Sequence, residues 1–265
     1  MKKLLFLLMF ASAVAFAQNN NQSIFIKDPA YMGLNGKFST LQITHYDGSK
    51  GTKANPFGKI SSVEVYTFNT NGKLLERRSY PNQLKKVLME RDTYKRDKDG
   101  RVMEIYKGFN LNDKHYASES TWRRISVNGN KEKWQQIGDD WWGTSYKDVE
   151  YSDGKKIIKE YVIQKKNGQE SNQAYITETL NDRNQVIRSL KKTSSKTDPI
   201  NTTIWTYDEN GQLLKEELEQ LHKDGASNKT ETESYTVDKV DNKNNPTQIT
   251  DSQGRKRVYK YTYQQ

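Results

Sequence analysis

Tyr66-Thr67-Phe68-Asn69-Thr70-Asn71-Gly72-Lys73-Leu74 is a phrase that this chain uses more than once. It returns as Trp205-Thr206-Tyr207-Asp208-Glu209-Asn210-Gly211-Gln212-Leu213. Each copy runs from an aromatic strand end, through a polar turn with Asn-Gly, to an aliphatic residue. Gly and Asn reach positive φ at little cost, so such a phrase encodes a β-hairpin. Repetition of one hairpin unit decides the architecture before any local reading does.

Working outward, two interleaved sets of turns emerge. One centres on Asn71-Gly72, Asp99-Gly100, Asn128-Gly129, Asp153-Gly154, Arg183-Asn184, Asn210-Gly211 and Lys243-Asn244. The other lies near Pro81-Asn82, Asn112-Asp113, Asp139-Asp140, Asn167-Gly168, Asp198-Pro199, Asp224-Gly225 and Gln253-Gly254. Each set recurs about every 28 residues, so a turn arrives about every 14, the regular spacing of an all-β chain. The segments between are β-branched or aromatic, as in Val258–Tyr263, where Tyr259, Tyr261 and Tyr263 share one face. Short connections force antiparallel neighbours. The expected fold is all-β: an antiparallel meander of roughly 12–15 strands, built of repeated hairpins and forming one elongated or curved sheet.

Two segments pull against this pattern. Leu214, Leu218 and Leu221 fall at helical spacing, and Leu84–Arg91 is similar. Their positions in the repeat argue for strands. Residues 18–60 fit the period less well and are expected to supply an atypical N-terminal cap, since repeat arrays need unlike ends. No Pro/Gly/Ser-rich linker interrupts the chain, so residues 18–265 read as a single β-domain.

Met1–Ala17 has the pattern of a secretory signal peptide. Lys2 and Lys3 precede an apolar run from Leu4, and Ala15-Phe16-Ala17 is a small-x-small cleavage site before the polar Gln18–Gln22. The apolar run is too short to cross a bilayer, which takes about 20 residues. The expected location is outside the cytoplasm, periplasmic or extracellular. The chain has no Cys. That excludes a lipid-anchored Cys, a disulfide framework and thiolate chemistry.

The net charge is +10. The basic doublets Lys85-Lys86, Arg123-Arg124, Lys155-Lys156, Lys165-Lys166 and Lys191-Lys192 are spread among acidic residues. They read as solvated strand faces and edges, where Lys opposes sheet-to-sheet association. A surplus of positive charge also suits a protein partner or an acidic polysaccharide of the envelope. Nucleic acid is a poor fit, with no recognition motif present. A membrane-embedded barrel would need an apolar lipid-facing band on every strand. These strands carry charge on both faces, and mean hydropathy is −1.02.

The phrase Tyr-x-Tyr/Phe-Asp/Asn-x-x-Gly-x-Leu, carried best by Tyr66–Leu74 and Trp205–Leu213, resembles the YD repeats of rearrangement-hotspot (RHS) and teneurin-type proteins. Tyr94–Val102 keeps the frame without the second aromatic, and 180–186 and 240–246 are weaker copies. The likeness covers about residues 60–263. A second resemblance is to MORN-like antitoxin repeats. The first implies a winding antiparallel wall with a role in binding or scaffolding, and it implies no ligand.

Candidate chemistry is sparse. His45, His115 and His222 are far apart, with no second His or Cys at ligand spacing, so no metal site is expected. Asp97-Lys98-Asp99-Gly100 resembles the start of a calcium loop but lacks the third acidic ligand and the distal Glu, and reads as a turn. There is no G-x-S-x-G elbow and no P-loop. No cofactor and no catalytic residue is assigned.

One segment stands apart: Trp134-Gln135-Gln136-Ile137-Gly138-Asp139-Asp140-Trp141-Trp142-Gly143. Trp134, Trp141 and Trp142 would form an aromatic platform for a sugar ring or a partner side chain, with Asp139 and Asp140 accepting from hydroxyl groups. The competing reading is cross-strand packing within the sheet. The preferred function is a non-enzymatic binding or scaffold protein of the bacterial envelope. The alternatives are a carbohydrate-binding module using the Trp cluster and a polysaccharide hydrolase with dispersed carboxylates.

Overall fold

The computed structural model describes residues 32–49, 51, 56–81, 88–112, 115–138, 143–152, 154–183, 185–195, 198–221 and 228–264. Sixteen strands follow one another: β1 (Phe38–Tyr46), β2 (Ile60–Phe68), β3 (Leu74–Tyr80), β4 (Glu90–Arg96), β5 (Val102–Asn112), β6 (His115–Asn128), β7 (Lys131–Ile137) and β8 (Gly143–Ser152), then β9 (Lys155–Gln164), β10 (Glu170–Leu180), β11 (Val186–Thr193), β12 (Ile200–Tyr207), β13 (Leu213–Leu221), β14 (Lys229–Val240), β15 (Pro246–Asp251) and β16 (Lys256–Tyr263). Each neighbours the strands before and after it in sequence, as the meander predicts. Leu213–Leu221 is a strand despite its helical spacing.

The repeated phrase has a single physical form. Asp208 Oδ1 accepts from the backbone N–H of Asn210 at 2.9 Å and of Gln212 at 2.8 Å. The Asp208 N–H donates to Gln212 O, and Gly211 N–H donates back to Asp208 O. Gly211 has φ +83°. This is a turn followed by a residue in the left-handed region, the common three-residue hairpin connection. Asn69, Asp97, Asn181, Asp241 and Asp251 hold the same pair of backbone donors, at i+2 and i+4, within 2.8–3.0 Å. Asn244, at φ +61°, takes the glycine position in one copy.

The expectation of an open, elongated or curved sheet is corrected. β1 pairs with β16 along its length, from Phe38 opposite Tyr263 to Tyr46 opposite Lys256, and the strand order closes into a barrel. β1 therefore joins the ring where a terminal cap was expected. Its remaining pairing edge is met by β2. Recognition through free backbone edges, which an open sheet would offer, falls with the open sheet.

By contact the chain divides into two compact units. One comprises Arg124–Thr206 and Glu216–Thr232. The other comprises the described residues up to Arg123, Tyr207–Lys215 and those from Glu233 onward. In each, directly opposed residues share a face, so pairing registers assign every side chain to the inner or outer side. In the second unit, Tyr261, Leu41, Tyr66, Arg77 and Asp92 follow one another across five strands on the inner face. All but Tyr261 are buried. In the first unit the inner row is Tyr151, Lys156, Glu178, Ser189 and Thr203. Trp134, Val149, Ile158, Val186 and Trp205 fill its apolar core.

Candidate functional site

Trp134 sits on β7 and is fully buried. Its Nε1 donates to Glu132 Oε2 at 3.0 Å, two residues back along the same face. In this position the indole packs the interior and presents no ring to solvent. Asp139, Asp140, Trp141 and Trp142 lie outside the described residues.

The inner face holds charge. Arg77 bridges Glu64 and Glu90 at 2.7 Å each, and Asp92 at 3.3 Å. Tyr66 donates its hydroxyl to Glu64 at 2.9 Å, and His45 Nε2 lies 3.6 Å from the same carboxylate. Burial alone would raise the Glu64 pKa. The Arg77 guanidinium and His45 outweigh it, and the carboxyl is held well below its usual range. Nearby, Glu233 accepts from Tyr235 and pairs with Arg255, which also holds Asp251. Burial pushes the Glu233 carboxyl up despite Arg255. An elevated acid beside a second carboxylate is the arrangement a glycoside hydrolase needs. Here both acids are buried and paired with the same arginine, Arg255.

In the first unit Lys156 pairs with Glu178, both buried on the inner face. Desolvation lowers the Lys156 pKa, and Glu178 only partly restores it. This corrects the reading of Lys155-Lys156 as a solvated doublet: Lys155 is exposed and Lys156 is inside. The Arg123-Arg124 doublet divides likewise. Arg123 is outside on Glu104, and Arg124 is turned in toward Glu132. Adjacent residues of a strand face opposite ways, which splits these two doublets, whereas Lys165-Lys166 and Lys191-Lys192 are exposed at both positions, as expected.

The outer face is also charged, and open to solvent. Lys95, Glu104 and Arg123 are directly opposed on β4, β5 and β6, forming a ladder whose two cations are 71% and 51% exposed. Glu76 pairs with Arg78, two residues along its own strand, and with Arg91, which opposes Arg78 on β4. In the first unit the outer row is Lys133, Asp148, Lys159, Tyr175 and Lys192. Next to it the rings of Tyr146 and Tyr161 stack, with centroids 5.4 Å apart. Lys133 Nζ lies 5.3 and 5.6 Å from the two centroids, and Lys159 Nζ 4.9 Å from that of Tyr161. The hydrogen bond that Lys133 donates to the Tyr161 hydroxyl oxygen raises its pKa against a smaller burial effect. This tyrosine–lysine surface was missed in favour of the tryptophans. Its signal was the i, i+2 spacing of Tyr146 with Asp148 and of Lys159 with Tyr161, which puts each pair on one face.

Among the described residues, no group of three or more His, Cys, Asp or Glu is arranged to hold a metal ion. The Asp97 loop spends its carboxylate on the backbone of Asp99 and Arg101.

No family model and no curated protein matches the chain. Among solved structures, a porin-like protein from Bacteroides uniformis aligns at 13% identity with a TM-score of 0.38, over 84% of this chain and 96% of its own. A protein of unknown function from Bacteroides fragilis aligns at 13% identity with a TM-score of 0.21, over 57% of this chain and 86% of its own. At these scores the functional reading rests on the chemistry of the sheet itself.

Proposed function

We propose that this is an exported, non-enzymatic binding or scaffold protein of the bacterial cell envelope, working in water rather than inside a membrane. The carrying observation is the outer ladder Lys95–Glu104–Arg123, three charged residues side by side on neighbouring strands. On a lipid-facing barrel surface, an Arg or Lys near the midplane costs about 2–4 kcal/mol. The rows Arg78–Arg91 and Lys133–Asp148–Lys159 multiply that cost. In water the same ladders cost nothing and hinder association between sheets. The kinship with YD repeats, a signal peptide at Met1–Ala17 and a partner outside the cytoplasm belong to this proposal.

A second reading has its own support. The outer surface of Lys133, Tyr146, Lys159 and Tyr175, with the buried Tyr161 ring stacked beneath Tyr146, combines aromatic rings with ammonium groups, which suits an acidic polysaccharide. Fractionation of native cells, followed by affinity capture from the soluble envelope fraction, tests the first reading. Recovery only from detergent extracts of membranes would overturn it. Binding to acidic glycans that is lost on Lys133→Ala with Lys159→Ala, with the melting temperature kept, would favour the second.

A further inference from the structure

Every pairing in the ring but one joins strands adjacent in sequence. Such hairpins form locally, so the chain can assemble an open ribbon without any long-range contact. Only β1 with β16 joins distant segments. The residues flanking this seam are tied down unusually well. Ahead of β1, Gly33 sits so close to the turn between β12 and β13 that an added Cβ would lie 2.2 Å from Gly211 O. Asn35 N–H donates to Asn245 Oδ1 at 2.6 Å, Asn245 Nδ2 donates to Asn35 O at 2.9 Å, and Asn35 Nδ2 donates to Lys243 O at 3.1 Å. Asn245 is fully buried by this exchange. It also donates to Tyr263 Oη at 2.8 Å. After β16, Gln264 N–H donates to Lys37 O at 3.1 Å. The Gln264 side chain donates to Phe38 O at 2.9 Å and Asn69 O at 2.6 Å.

We propose that Gly33–Lys37 and Gln264 form a latch that holds the barrel shut, so that releasing it opens the sheet at the β1–β16 seam and nowhere else. The latch residues use side-chain amides to satisfy backbone groups that an interstrand ladder would otherwise leave unmade at the seam's end. Their contacts reach the seam strands at Phe38 and Tyr263, the β2–β3 turn at Asn69 and the β14–β15 turn at Lys243–Asn245, and, through Gly33, the β12–β13 turn at Gly211. The other hairpins keep their own hydrogen bonds when the latch is free. Opening would uncover two strand edges that are complementary in register.

Amide hydrogen exchange on the full chain tests this. Gly33→Val drives a side chain into the Gly211 carbonyl, and Gln264→Ala removes two hydrogen bonds without introducing a clash. Either is expected to speed exchange in β1 and β16 at least tenfold, with β8–β10 unchanged. The native chain has no Cys. A disulfide from Thr40→Cys with Thr262→Cys, directly opposed across the seam, should then restore protection in the Gln264→Ala background. Acceleration spread evenly over all strands, unchanged seam exchange in the Gln264→Ala protein, or failure of the disulfide to restore protection would each overturn the proposal.

Discussion

Lys156–Glu178 on the inner face and Lys95–Glu104 on the outer face are the same chemical pair, directly opposed on neighbouring strands. Their surroundings differ. Lys156 and Glu178 have lost nearly all contact with water, whereas Lys95 is 71% exposed. Glu104 itself is largely buried, but a pair whose cation stays in water, as Lys95 does, is worth about 0–1 kcal/mol. A buried pair has given up its hydration, so each charge depends on the other. The difference teaches that charge patterning along these strands is not a surface property. One set of charges lies on the outer face, and the other is paired within the interior.

Five tests break or sharpen this contrast. The largest effect is expected inside. Lys156→Met takes the ammonium away from buried Glu178 and should cost about 3–5 kcal/mol in urea denaturation. Adding Glu178→Leu should recover most of that loss, since well-packed apolar side chains replace buried pairs at little or no cost. Next comes acid. The Glu64 carboxyl is lowered in the folded state, so its contribution is complete above the unfolded value and is lost as pH falls toward the folded one. Melting temperature followed below pH 5 should drop less steeply in Glu64→Gln than in the native protein.

Smaller again are the turns, which belong to neither face. Asp208→Ala orphans the two backbone donors at Asn210 and Gln212, for a loss of about 1–2 kcal/mol. Asn244→Gly should gain a few tenths to about 1 kcal/mol by relieving a positive φ. The smallest effect is expected outside: Lys95→Met should change stability by less than about 1 kcal/mol. A loss at Lys95 equal to that at Lys156 would erase the contrast between the faces.

The turns were legible because their chemistry is local. An Asx residue, two spacers, a Gly and a residue that closes the loop lie within five positions, and the side chain bonds only its own backbone. Closure was not legible. Nothing near Phe38 or Tyr263 reveals that they meet, because strand alternation is the same in an open and a closed sheet. The inner charges were hidden for a related reason. Lys156 has the neighbours of a surface lysine in sequence, and only the register against Glu178 shows that it faces inward. Trp134 misled in the opposite sense. A tryptophan near a polar turn reads as a platform or as packing, and strand parity beside the exposed Lys131 settles on the inside.

The most direct test of the water-facing barrel is flotation of the purified, detergent-free protein with phospholipid vesicles on a density gradient. The expected result is protein left in the dense aqueous fractions, with the outer residues Lys95 and Arg123 equally reactive to charge-labelling reagents with and without vesicles. Protein that floats with the vesicles, with those two side chains shielded by lipid, would contradict it.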